Sequence, residues 1–332
     1  MLRLSIHSGS HLSSHSNILG IIQYGGSPSP ITALQPVPQQ YVRANTRSGQ
    51  ATRFIFSSDA PVSYGGTRDY QYAHDGRVLY ATMTCHDAAI EATSHNAQAL
   101  EKIVSGAYGR AFELMQRLGF RHLWRTWNYL SDINIETGGM ERYRQFNVGR
   151  HAAFAQHLPI AHGTMPAACA LGMPTQGLSM ALLASKSGFE QIENPRQHSA
   201  YEYPKQYGPR SPTFSRAILA RMEDRNYLFI SGTASIVGHA SLHADDVIAQ
   251  TLEAVNNIKA IIAEANSRQT HTSYALQDLT CLVYVRHVRD FAAVDSILAA
   301  QIKGAVNAIA YVQADICRKE LLVEIEAFCF DH

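Results

Sequence analysis

One succession of elements is written twice in this chain, and that repetition limits the folds open to it. Val78–Thr84 reads as a strand, apolar with no Gly or Pro. A helix follows, capped at Thr93 or Ser94 and running to about Leu118. Its Leu100, Val104, Ala107, Ala111, Leu114 and Leu118 recur at three- and four-residue spacing, and Gly119 stands where a helix C-terminal glycine belongs. Leu123–Leu130 reads as a strand and Met140–Gln156 as a helix. Ala167–Leu171 and Leu178–Leu183 are expected to form a hairpin around Met173-Pro174. The order then recurs: strand Tyr227–Ile230, helix Asp246–Ala263, strand Leu279–Val285, helix Phe291–Ala305, and a closing pair of strands, Ile309–Ile316 and Leu321–Phe328. Residues match as well. Arg125–Ile133 lies over Thr280–Val288, and Leu178–Ala184 over Leu322–Phe328, which sets Glu324 over Met180. The expectation is a duplicated β-α-β-α-β-β unit of the α/β (α+β) class, with mixed sheets packed on helices and the acidic strand only in the second copy. Chance similarity between two α/β segments is the alternative.

A chain of 332 residues with 46% hydrophobic side chains is long enough for two such units. Residues 1–70 are rich in Ser, Gly, Pro and Gln, yet pieces such as Ile18–Ile22 and Tyr41-Val42 are too frequent for disorder and read as strands and loops. A net charge of +1 lacks the basic surplus of a nucleic-acid partner, though a few arginines can still hold a small anion. The 16 histidines and five scattered cysteines give neither HExxH nor zinc spacing, so no metal is expected. Reduced thiols, no visible signal peptide and no long apolar run point to a cytoplasmic protein with no membrane partner.

The chemistry concentrates near the C-terminus. On a strand Leu321–Glu326, Val323 and Ile325 face one way and Glu324 and Glu326 the other, roughly 6–7 Å apart at about 3.3 Å per residue. In a dry cavity one of the two holds its proton near neutral pH and can act as a general acid. Two solvated glutamates on an open sheet face are the other reading. Between the units, 185–217 carries Pro195, Pro204, Pro209 and Pro212 among Tyr201, Tyr203, Tyr207, Arg210 and Arg216. So long and aromatic a connection is expected to cover something, or else to pack as a surface loop.

Phe229–Ser235, Gln250–Ile258, Leu282–Val285 and Val323–Ala327 together resemble the RidA/YjgF fold, a small α/β unit that normally forms trimers with clefts between subunits. A closer resemblance covers nearly everything from about residue 60. Trp127-Asn-Tyr-Leu130, Glu141–Arg150, Tyr207-Gly-Pro-Arg-Ser-Pro212, Ile230–Gly238 and Ala314–Glu324 are similar to the chorismatase family, which resembles two fused RidA-like domains and removes pyruvate from chorismate. The resemblance implies an N-terminal RidA-like domain with its extension (1–185), a linker covering the cleft (186–217) and a catalytic domain (218–332). It implies Glu324 as general acid. Tyr207, Gly232, Thr233 and Ala234 fall at the substrate through their blocks.

Chorismate's two carboxylates call for cations, and Arg150, Arg210 and Arg216 are the candidates, arginine's planar fork suiting a carboxylate. On the Met140–Gln156 helix, Tyr143, Asn147 and Arg150 share one face. Cys317 and Ala234 stand where the family's product choice is made. Cys317 looks like the 3-hydroxybenzoate-forming type and Ala234 like the type that hydrolyses chorismate to a dihydrodiol. A mixture also suits members that make 4-hydroxybenzoate too. No cofactor is expected, since the chemistry is proton transfer and C–O cleavage. The fused repeat favours a monomer over the RidA trimer. The competing readings are a RidA-like imine deaminase, against which Asn307–Tyr311 lacks the arginine such proteins carry, and a non-enzymatic ligand-binding module.

Overall fold

In the computed structural model, twenty strands and four long helices are described over residues 1–9, 17–27, 36–85, 99–158, 160–174, 177–269, 273–302 and 309–330. The first four strands, β1 (Leu2–Ser8), β2 (Ile18–Tyr24), β3 (Gln39–Val42) and β4 (Thr52–Ser58), make one sheet in the order β1-β4-β2-β3. Next come β5 (Ser63–Gly66), β6 (Gln71–His74), β7 (Val78–Cys85), α1 (Ala99–Leu118) and β8 (His122–Leu130). A short ribbon, β9 (Glu136–Thr137) with β10 (Met140–Glu141), leads into α2 (Arg142–His157), β11 (Ala167–Gly172) and β12 (Leu178–Ser185). The second unit holds β13 (Phe189–Ile192), β14 (Ala217–Met222), β15 (Arg225–Ala234), the ribbon β16 (Ile236–Val237) with β17 (Ala240–Ser241), α3 (Val247–Ser267), β18 (Thr280–Val285), α4 (Phe291–Gln301), β19 (Ile309–Gln313) and β20 (Val323–Phe330). The expected cap at Thr93 or Ser94 lies outside the described residues. Asp246 caps α3 by accepting from the Ala249 amide at 2.9 Å.

The duplication holds strand for strand. One six-stranded sheet runs β11-β8-β12-β7-β6-β5 and the other β19-β18-β20-β15-β14-β13. The expected hairpins do not form. β11 pairs parallel with β8, and β12 lies antiparallel between β8 and β7; β19 and β20 repeat this around β18. The last strand of each unit is too apolar for an edge. Every residue of Leu178–Ser185 is buried, and such a strand belongs mid-sheet, covered on both faces. The overlay of Glu324 on Met180 is also corrected, by one residue. Tyr129 sits opposite Ser179 and Tyr284 opposite Glu324, so Ser179 is the counterpart of Glu324 and Ala181 that of Glu326. A slip of one residue exchanges the faces of a strand.

Three cores follow from these faces. Leu100, Val104, Leu114 and Phe154 of α1 and α2 pack on the helix side of the first sheet, on Met180 and Leu182. Ile258, Ile262, Val294 and Leu298 of α3 and α4 do the same to Val323, Ile325 and Ala327. The other faces of both sheets meet each other, and the N-terminal sheet closes that layer with Leu2, Tyr24, Phe54 and Phe56. Part of the expected linker is built into the second sheet, because Phe189–Ile192 pairs with β14 as its edge strand.

The N-terminal sheet is seated tightly. Tyr80 on β7 donates its hydroxyl to the Ile21 carbonyl at 3.1 Å, and a Cβ on Gly20 would collide with the Tyr80 ring. Gly20→Ala should therefore lower stability by about 1–3 kcal/mol, read as the urea midpoint. An unchanged midpoint would mean that this sheet is loosely attached.

Candidate active site

Strand β20 carries both carboxyls of interest. Its odd residues enter the helix-side core, so Glu324 and Glu326 point into the layer between the sheets, 4% and 0% exposed. Their neighbour β15 is irregular there. Its register against β20 shifts between Ile230 and Thr233, so Ser231 and Gly232 together oppose Glu326. The corresponding β12–β7 pairing runs without a shift. The bulge brings Gly232 against Glu324, and a Cβ at that position would strike the carboxylate. Only glycine permits that approach.

Glu326 is paired. Arg125, reaching across from β8, donates Nη2 to it and Nη1 to the Ile230 carbonyl at 3.0 Å. The Tyr284 hydroxyl donates to Glu326 at 3.0 Å and lies 2.8 Å from the Tyr129 hydroxyl, which also bonds Tyr24. Burial holds the Glu326 carboxyl above the usual carboxylate range, against the pull of the Arg125 guanidinium with which it is ion-paired. Among the described residues Glu324 has no cationic hydrogen-bond partner; the Cys317 thiol lies 3.9 Å from its Oε2. Burial first, and then the Glu326 charge, push Glu324 up to about 8, against the pull of Arg125 and Arg216. At neutral pH it is an uncharged acid.

Glu324 opens into a cleft of about 280 Å³ between the units. Tyr143 from α2 and Asn134 line one side, Gly232 and Ala234 another, and Tyr203, Tyr207, Phe214 and Arg216 from the connecting segment a third. Arg216 is 4% exposed, stacks between Tyr203 and Phe214 at 5.4 and 5.3 Å, and donates to the His198 carbonyl and the Tyr203 hydroxyl, both at 2.7 Å. Its Nε has no hydrogen-bond partner among the described residues, and its charge pulls the proton affinity of the Glu193 carboxyl down against burial. Cys317 and Arg318 come from the turn before β20. That turn is held by Arg286, which donates to the carbonyls of Ile316, Arg318 and Leu321 at 3.2, 3.0 and 2.8 Å, and by Gln250, which accepts from the Leu322 amide at 2.7 Å. Arg318 lies 4.0 Å over the Tyr207 ring.

Behind Glu324 a smaller pocket of about 30 Å³ is lined by Tyr143, Asn147, Arg150 and Cys169. The three helix residues expected on one face thus meet there. Arg150 is buried, donates to Thr126 Oγ1 at 3.3 Å and stacks on Tyr108 and Phe154. Two expected residues stay apart. Arg210 is exposed and lines neither pocket. Thr233 alternates away from the cleft and donates to the Ser231 carbonyl at 2.8 Å. Among the described residues no cluster of His, Cys, Asp or Glu could hold a metal, and no helix is long and apolar enough to cross a membrane.

Residues 55–184 match the family described as Chorismatase FkbO/Hyg5-like, N-terminal, and residues 211–330 that described as Endoribonuclease L-PSP. A 3-hydroxybenzoate synthase of Streptomyces hygroscopicus is 35% identical over 320 residues, 93% of this chain and 91% of that protein. The chain belongs to the chorismatase family. A chorismatase of Streptomyces rapamycinicus is 32% identical over 324 residues, 96% of this chain and 94% of that one. A chorismatase crystal structure superposes with a TM-score of 0.88 at 29% identity, over 99% of this chain and 98% of the other.

In this chorismatase the sequence reasoning missed Arg318 and Phe214. Arg318 had one available signal, since it directly follows Cys317. Arg286 had none, because it acts on backbone carbonyls from another strand end.

A carboxyl that holds its proton more tightly when folded costs stability as pH rises. Unfolded glutamate ionises near 4.5 and Glu324 near 8, so between those values the folded chain binds the extra proton. Stability should fall across that window by at most about 1.4 kcal/mol per pH unit from this group. Glu324→Gln should remove that slope, so its advantage over the wild type grows from pH 5 to pH 8 in urea unfolding. A pH-independent difference would contradict the raised proton affinity.

Proposed function

We propose that this chain removes pyruvate from chorismate to give 3-hydroxybenzoate, with Glu324 as the general acid. The observation that carries the reading is a neutral buried acid facing the same cleft as Arg216, a buried guanidinium that stacks on two aromatic rings and forms no close ion pair among the described residues, the Glu193 carboxyl feeling its charge only from a distance. A buried cation left unpaired is costly, and an anionic ligand relieves it. Chorismate brings two carboxylates, and the curated relatives are named for that substrate or that product.

The steps balance. Glu324 gives its proton to the methylene carbon of the enol ether, leaving an oxocarbenium ion beside its new carboxylate. The ring hydroxyl next to the leaving oxygen then attacks the ring carbon, the C–O bond to the pyruvyl group breaks, and the hydroxyl proton returns to Glu324. The resulting epoxide opens and loses a ring proton, giving 3-hydroxybenzoate. Arg216 holds a substrate carboxylate, and Tyr143, Tyr207, Gly232 and Ala234 shape the walls. Arg150, in the small pocket behind the acid, is the second cation toward the anionic substrate. Burial pushes the Cys317 thiol up to about 12, so it is no nucleophile; it acts by filling space beside the acid.

Water reaching the cation instead gives the dihydrodiol and pyruvate. Ala234, a small side chain in the cleft wall, favours that second outcome and is the reason to assay both. The N-terminal sheet covers the inner faces of both units, and this supports a monomer in which residues 218–332 are the catalytic domain, 1–185 its partner and 186–217 the cover. Among the described residues none of the five cysteines forms a disulfide, which supports a reducing, cytoplasmic setting.

Incubation with chorismate, followed by chromatography, should yield pyruvate with 3-hydroxybenzoate. Glu324→Gln should cost at least about a hundredfold in kcat with little change in chorismate binding. Retained turnover would remove Glu324 from the chemistry. Cys317→Val should change the ratio of 3-hydroxybenzoate to dihydrodiol and 4-hydroxybenzoate, and an unaltered ratio would take Cys317 out of the product choice.

A further inference from the structure

We propose that the buried Arg125–Glu326 pair is a positioning device for Glu324: it fixes a negative charge on the same strand face and so keeps the neighbouring acid uncharged and aimed into the cleft. The inference rests on the reading of Glu324 as the general acid and adds the group that sets its protonation.

Three observations carry it. First, the fold does not need ions at this place. The strand positions that correspond to Arg125 and Glu326 in the other units are Thr280 and Ala181, and the same sheet plan closes there without charge. A buried pair is weak evidence for stability in any case, since apolar replacements often do as well.

Second, the charge is pinned more firmly than packing requires. Glu326 takes Arg125 and Tyr284, and Tyr284 is backed by Tyr129 and Tyr24, so each of the three sheets contributes one tyrosine hydroxyl. All of these side chains are fully buried, and Glu326 cannot turn to water. Arg125 also donates to the Ile230 carbonyl at the start of the bulge that presents Gly232 to Glu324. One guanidinium thus holds both the charge and the backbone that confines the acid.

Third, the cations facing Glu324 pull it toward ionisation, against burial, which raises its proton affinity most, and then the Glu326 charge. Glu326 faces it from β20, Arg125 from β8, Tyr143 and Arg150 from α2, Cys169 from β11, Arg216 from the connecting segment, and Cys317 and Arg318 from the turn before β20. The guanidiniums favour the carboxylate, and the thiols and the tyrosine are uncharged. Glu136, Glu141 and Glu320 also line the cleft, with Arg144 and Lys319, but Glu326 is the carboxyl whose charge acts most on Glu324. The site needs cations to bind an anionic substrate and a neutral acid to protonate it, and Glu326 reconciles the two demands.

The test titrates Glu324 directly, by the ¹³C shift of its side-chain carboxyl in glutamate-labelled full-length protein, assigned by its loss in Glu324→Gln. In the wild type the midpoint is expected near 8. In Glu326→Gln it should fall by at least about one pH unit, and the alkaline limb of kcat/KM for chorismate should fall with it. Arg125→Met/Glu326→Gln leaves no unpaired charge and should fold; there the midpoint should also fall, by less. An unmoved midpoint in Glu326→Gln, or in the double variant where the single one does not fold, overturns the proposal. Failure of both to fold also overturns it, since the pair would then be structural. A midpoint that moves while the wild type leaves chorismate untouched would refute the reading of function and leave the positioning intact.

Discussion

Two carboxyls two residues apart on a buried strand cannot both be charged where water does not reach. Removing a carboxylate from water costs several kcal/mol, and a second one on the same face adds repulsion. This chain resolves the conflict by treating the two unequally. Glu326 receives a guanidinium and a tyrosine hydroxyl and keeps its charge; Glu324 receives neither and keeps its proton. Much of the site follows from that inequality. The bulge admits Gly232 beside an uncharged carboxyl, and the cleft's guanidiniums stay free for a ligand because Glu324 does not consume them as a counter-ion.

The duplicated plan explains how both halves of the site arise from one ancestral arrangement. The first unit lends Arg125, α2 and its half-buried Tyr143; the second lends the acid, the bulge and the turn with Cys317. Neither could act alone, because each cleft wall belongs to a different unit. Gly172 and Asp315 exchange backbone hydrogen bonds at 2.7 and 2.8 Å across the junction, so the turn before β20 is tied to the first unit as well as to its own. The catalytic strand is thereby held from both sides, and a shift of one unit against the other would move acid and walls together.

Much of this was legible in the residues. Alternation alone placed Glu324 and Glu326 on one face, and the recurring element order anticipated the two units. Register was not legible. Nothing local to Leu178–Ala184 says whether Ser179 or Met180 answers to Glu324, because both are buried and only cross-strand pairing decides. The hairpins failed for a related reason: proximity in sequence suggested pairing, whereas burial on both faces sends β12 and β20 to the sheet centres. Among the arginines of the connecting segment, sequence weighed Arg210 and Arg216 equally. The structure turns one inward between Tyr203 and Phe214 and leaves the other in solvent, a difference that depends on where Ala217 joins β14.

The same electrostatics bear on Cys317. A thiolate beside Glu324 would face a neighbouring carboxyl and the charge of Glu326 behind it, and burial opposes it further, so the thiol stays protonated. It can then donate only weakly to the Glu324 oxygen it approaches, and its effect on the reaction is that of volume. A volume next to the acid lies where water would have to stand to reach the cation formed by protonation. Ala234 opens a little space on the opposite wall, on the strand paired with Glu324. On the proposed route, the partition between ring closure and hydrolysis becomes a packing problem within one cleft, between a sulfur that excludes water and a methyl group that leaves it room, with the starting proton drawn from the same carboxyl in either case.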